Sequence, residues 1–100
     1  MANVTLTVTA TNGAGVQSSW IRIDDQDVVI ANGSGTIDVD GDALQQSYSY
    51  WFLGNSGSSF SFEIKQSGSS LKKVSDTIAT GYNRGVGAGH FKLLSPLGLW

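Results

Sequence analysis

Residues 47–65, SYSYWFLGNSGSSFSFEIK, constrain this chain more than any other stretch. They carry Tyr48, Tyr50, Trp51, Phe52, Phe60 and Phe62, most of the aromatic mass of the protein. Their pattern is period-2, the mark of a strand with two different faces. Tyr48, Tyr50 and Phe52 share one face, and Ser49, Trp51 and Leu53 share the other. Phe60, Phe62 and Ile64 alternate with Ser59, Ser61, Glu63 and Lys65. Gly54, Asn55, Ser56, Gly57 and Ser58 between them are turn formers. The stretch reads as two strands of an antiparallel hairpin, in which opposed residues point to the same face. Pairing Phe52 with Phe60 then sets Tyr50 opposite Phe62 and Tyr48 opposite Ile64. Those six residues are the expected core. Trp51 and Leu53 are expected on the opposite face, beside Ser61 and Glu63. A slip of one residue would bury Trp51 and expose Tyr50, so the sequence leaves that choice open.

The rest of the chain repeats the strand signal. Residues 4–11, VTLTVTAT, alternate Val4, Leu6, Val8 and Ala10 with four threonines, all with good strand propensity. Residues 16–23 place Ile21 and Ile23 on one face and Trp20 and Arg22 on the other. Residues 27–31 and 36–39 read as short strands, separated by the turns 24–26, 32–35 and 40–42. Residues 71–80 form a weaker strand, repaired by a bulge near Ser75 and Asp76. A helix there is the competing reading, since Leu71, Val74 and Ile78 fit helical spacing. Residues 81–89, GYNRGVGAG, read as a flexible loop, and 90–94 as the last strand.

Seven or eight short, mostly antiparallel strands with turns every eight to twelve residues predict an all-β fold. The expected form is an immunoglobulin-like two-sheet β-sandwich, one domain over residues 1–100. The run IRIDDQDVV (21–29), followed by TIDV and an aromatic strand, resembles small bacterial Ig-like or PEGA-type modules over about half the chain. No function is carried over from that resemblance.

Composition excludes more than it selects. The chain has no cysteine, hence no disulfide and no thiolate chemistry. Six scattered Lys and Arg against eight Asp and Glu make no basic stripe for nucleic acid. No apolar run approaches the roughly 20 residues needed to span a bilayer. The start, MANVTLTV, reads as no signal peptide. Low charge with many Ser, Thr, Asn and Gly suits an extracytoplasmic all-β domain.

Enzyme signatures are weak. His90 is the one histidine and Glu63 the one glutamate. No nucleophile elbow of Gly-x-Ser-x-Gly type occurs, and a lone histidine makes no multi-histidine zinc site. The glycines of 81–89 lack the following helix that a phosphate loop needs. Asn3 and Asn32 head N-glycosylation acceptor patterns, which chance supplies in so polar a chain. Asp38, Asp40 and Asp42 alternate as calcium ligands do, but Gly41 is misplaced and no bidentate Glu follows. Calcium is therefore a minor expectation, with Asp24, Asp25 and Asp27 as extra ligands only if the two turns meet. No other cofactor is expected.

A non-catalytic binding module is the expected function, recognising a glycan or another surface ligand. Trp51 would be its aromatic platform, with Asn55, Tyr82, Asn83 and Arg84 in the loops. Trp20 is likewise placed off the core, and Trp100 ends the chain. The alternative is a structural module that binds a protein surface or its own copies. It would use the apolar tail 93–100, with Leu93, Leu94, Pro96, Leu97, Leu99 and Trp100, and the second apolar face at Trp51 and Leu53.

Overall fold

The computed structural model describes residues 3–43 and 45–94. Eight strands run in order: β1 (Asn3–Asn12), β2 (Val16–Ile23), β3 (Gln26–Val28), β4 (Ser34–Asp40), β5 (Gln45–Gly54), β6 (Ser59–Gln66), β7 (Ser69–Thr77) and β8 (Arg84–Lys92). They form two antiparallel four-stranded sheets, ordered β4-β1-β6-β7 and β3-β2-β5-β8. The fold is thus an all-β two-sheet sandwich. The described residues contain no helix long and apolar enough to cross a membrane.

The aromatic stretch is not a hairpin. β5 pairs with β2 and β8, whereas β6 pairs with β1 and β7. The chain crosses from one sheet to the other between Gly54 and Ser59. Two of the three expected pairs still meet, but across the core rather than along a ladder. Phe52 and Phe60 have ring centroids 5.1 Å apart, and Tyr50 and Phe62 5.4 Å. Side chains of two facing sheets interdigitate over a core about 10 Å thick, so large rings on both inner faces fill it. Phe52, Phe60, Phe62 and Ile64 are buried, Tyr48 nearly so, and Tyr50 packs against them. Tyr50, not Trp51, therefore turns to the core. Ser61 and Glu63 lie on the other sheet, away from Trp51.

Bonds between neighbouring connections hold the crossing. Asn55 N–H donates to Gly15 O (3.2 Å) and Gly57 N–H to Ile78 O (2.8 Å), while Ile78 N–H donates to Ser58 O (2.9 Å). Three sheet-to-sheet connections thereby interlock at one end of the sandwich. Two-residue turns with both residues at positive φ close three other corners: Asp24 and Asp25, Asn32 and Gly33, Ser67 and Gly68. Such mirror-image turns match the twist of paired strands.

β7 is a strand, which removes the helical alternative. Its irregularity lies at Leu71 rather than near Ser75, since Ile64 faces Lys72 and Lys65 faces Ser70. The extra residue lets Leu71 and Val74, three apart, both pack on the core.

The glycine run is a strand too. In β8, Gly85, Gly87 and Gly89 stand opposite Phe52, Tyr50 and Tyr48. A Cβ at Gly85 would lie 2.5 Å from the Phe52 ring, and one at Gly89 2.6 Å from the Tyr48 hydroxyl. The rings of β5 therefore lie over the bare backbone of β8, a cross-strand cover for glycine that a side chain would exclude. The Tyr50 hydroxyl reaches past β8 and donates to Asp76 Oδ2 at 2.8 Å. Burial, then the bond and charge of Asp76, push the Tyr50 phenol up to about 12.

Candidate functional site

The same alternation that buries Tyr50 sends Trp51 outward. Trp51 stands directly opposite Trp20 across the β2–β5 ladder. Their indoles stack with centroids 3.9 Å apart and planes 6° from parallel. Both remain open to solvent, at 41% for Trp20 and 38% for Trp51. Val86 of β8 continues the row beyond Trp51 and is 66% exposed. The result is an apolar row across three strands on the outer face of the β3-β2-β5-β8 sheet.

Register sets what flanks this row. On one side lies the row Asp27, Arg22, Ser49 and Ala88, and on the other Ser18, Leu53 and Arg84. An open groove of about 420 Å³ runs between them, lined by Trp20, Arg22, Ser49, Tyr50, Trp51, Arg84, Val86 and Gly87. That volume falls among those of small-ligand sites, which combine apolar walls with a few placed polar groups. The turn at Asp24 and Asp25 folds β3 back on β2. Arg22 Nε then meets Asp27 Oδ1 at 3.0 Å, and its Nη2 donates to Asp25 O at 2.8 Å.

The structure brings together some of the residues singled out in the sequence and separates others. Trp51 and Arg84 share the groove. Asn55, Tyr82 and Asn83 sit at the adjoining end of the sandwich. There Gly54 N–H donates to Asn83 O (2.9 Å), and Ser56 Oγ donates to Tyr82 O (3.0 Å) and accepts from Gly81 N–H (3.2 Å). Tyr82 is 67% exposed, and none of these three lines the groove. Residues 81–89 were expected to be loop, which hid Val86 and Gly87. The alternation of Gly85, Gly87 and Gly89 was the signal for both.

The acidic residues are spread out. Asp38 and Asp40 stand along β4, and Asp42 lies in the turn after it. Asp38 Oδ1 accepts the Thr5 hydroxyl at 2.6 Å, and Asp40 Oδ1 accepts Asp42 N–H at 2.9 Å. Among the described residues no three His, Cys, Asp or Glu side chains gather to hold a metal ion. His90 stands opposite Ser47 on the outer face of β8. Of the apolar tail, Leu93 is buried in the core and Leu94 is 41% exposed, while 95–100 lie outside the described residues.

No protein-family model matches the chain, and no curated protein or solved structure matches it.

Proposed function

We propose that the protein is a non-catalytic binding module that receives a glycan on the outer face of the β3-β2-β5-β8 sheet. One observation carries this reading: a stacked Trp20–Trp51 pair held open to solvent in a groove of ligand size. Two indoles left on a surface are a cost in water unless something covers them. Trp, Tyr and Arg are also the residues that dominate binding surfaces. Sugar rings present C–H faces that stack on indole, and the groove's serine and arginines can bond their hydroxyls.

We further propose that the sandwich is a variant of the immunoglobulin-like type, on the support of part of its strand order. β1 lies beside β4, and β5 lies between β2 and β8. These are the neighbours that strands B and E, and C, F and G, have in an immunoglobulin domain. The departures are β6 and β7, which extend the far side of β1 yet come between β5 and β8 in the chain.

A glycan array, followed by titration of tryptophan fluorescence, tests the proposal. Binding with a fluorescence change, lost in Trp51→Ala, is the expected outcome. An array without hits, together with unchanged fluorescence against every sugar, would discard it.

Self-association is the second reading. Among the described residues β8 is the last strand of its sheet, and an edge strand can accept another strand. A concentration-independent monomer by light scattering would remove it.

A further inference from the structure

The groove gathers cations as selectively as it gathers indoles. The chain has two arginines, Arg22 and Arg84, and both line it. Among the described residues no aspartate or glutamate lines it, although the chain as a whole carries a formal charge of −2. The two arginines differ in what holds them. Arg22 is engaged by the Asp27 carboxylate and the Asp25 carbonyl. Arg84 is exposed, and among the described residues it forms no ion pair. The lysines are elsewhere. Lys65 and Lys73 face Glu63, Lys72 lies over the Tyr48 ring, and Lys92 stands opposite Gln45 at the far end of β8. Arg84 is thus the cation that the fold leaves unspent beside the indoles, one row from Trp51.

We infer that the groove takes an anionic glycan, with a sugar ring against the indole pair and its carboxylate or sulfate on Arg84. The inference rests on the glycan reading above and narrows it. A guanidinium is a planar fork that bonds a carboxylate through two parallel N–H groups, so it fixes orientation as well as charge. A neutral sugar gains the stacking but leaves that fork in water. Arg22 and Arg84 lie on opposite sides of the aromatic row, roughly 16 Å apart by strand rise and spacing. That diagonal is longer than one sugar ring, which favours an oligosaccharide over a monosaccharide. An acidic peptide would satisfy Arg84, but it has no ring of C–H groups to set against two stacked indoles.

The test compares short oligogalacturonates with the same oligomers fully methyl-esterified, alongside an array holding neutral, uronate-bearing and sulfated glycans. Poly-glutamate serves as the peptide control. Array hits confined to acidic members, with the free acid binding at least about tenfold more tightly than the ester, are expected. Arg84→Gln should erase that difference while leaving the fold intact, since the exposed side chain forms no hydrogen bond or ion pair among the described residues. Added salt should weaken the acid form and leave the ester unchanged. Hits on neutral members, or equal binding of acid and ester, overturn the anionic preference and leave the glycan reading standing. Poly-glutamate binding as well as the oligogalacturonate overturns it in favour of a peptide partner. An array with no hits at all overturns both.

Discussion

The two sheets turn different faces to water. The outer face of β4-β1-β6-β7 is hydroxyl and charge, and it answers its own needs. Thr5 bonds Asp38 (2.6 Å), Ser59 meets Thr77 (3.3 Å), and Glu63 lies between Lys65 (3.7 Å) and Lys73 (3.9 Å). A bond from Ser70, then the two lysines, hold the Glu63 carboxyl below its ordinary range. The outer face of β3-β2-β5-β8 carries Trp20, Trp51 and Val86 open to solvent, and an Arg84 that forms no ion pair among the described residues. Both faces come from the same inside-outside alternation. What separates them is how much is left unmet, and unmet groups are where a ligand gains.

The largest expected effect comes from breaking the floor beneath the aromatic face. Gly85→Ala sets a methyl group against the buried Phe52 ring, and Gly87→Ala sets one against Tyr50, whose hydroxyl is tied to Asp76. Each should cost about 1–3 kcal/mol, as overpacked cores do. Chemical denaturation measures it. An unchanged midpoint would mean that the rings do not lie over β8.

Next in size is the indole pair. Removing either ring should cost roughly 1 kcal/mol of stacking and abolish glycan binding. It should also erase the exciton signature of coupled indoles in circular dichroism. A single substitution that leaves that signature whole would show that the rings are not stacked.

The phenol of Tyr50 gives a smaller effect that depends on pH. Its folded value is raised from 10.0 to about 12. The neutral form is therefore the one the fold favours. That stability is complete below pH 10 and fades as pH rises from 10 toward 12. Asp76→Asn should lower the tyrosinate titration. A titration unmoved by the substitution would contradict the bond.

The smallest effect is expected on the hydroxyl face. Thr7→Ala should change stability by no more than about 0.5 kcal/mol and leave ligand binding alone. A larger loss of binding there would reverse the assignment of the two faces.

Much of this was legible in the sequence, for reasons particular residues make plain. Leu6 and Val8, Ile21 and Ile23, and Phe60 and Phe62 all turned inward as their alternation required. The separation of β5 and β6 into two sheets was not legible. A hairpin and a crossing place the same alternate residues on the core side, so Phe52 meets Phe60 either way. The strand character of 84–89 was hidden because glycine disfavours strands. Only its period of two, matched to Phe52, Tyr50 and Tyr48, gives it away. Trp20 and Trp51 could each be placed off the core, but their stacking depends on register between strands far apart in sequence. The convergence of both arginines on that pair depends on the same register.

An NMR titration with oligogalacturonate, following the indole N–H signals of Trp20 and Trp51 together with the backbone amides, puts the choice between the two faces to a single spectrum. Both indole signals and the amides of Arg84, Gly85, Val86 and Gly87 should move in concert, while those of Thr5, Thr7 and Thr9 stay still. Shifts confined to the threonine face, or indoles that do not respond at any concentration, would contradict the assignment of the two faces.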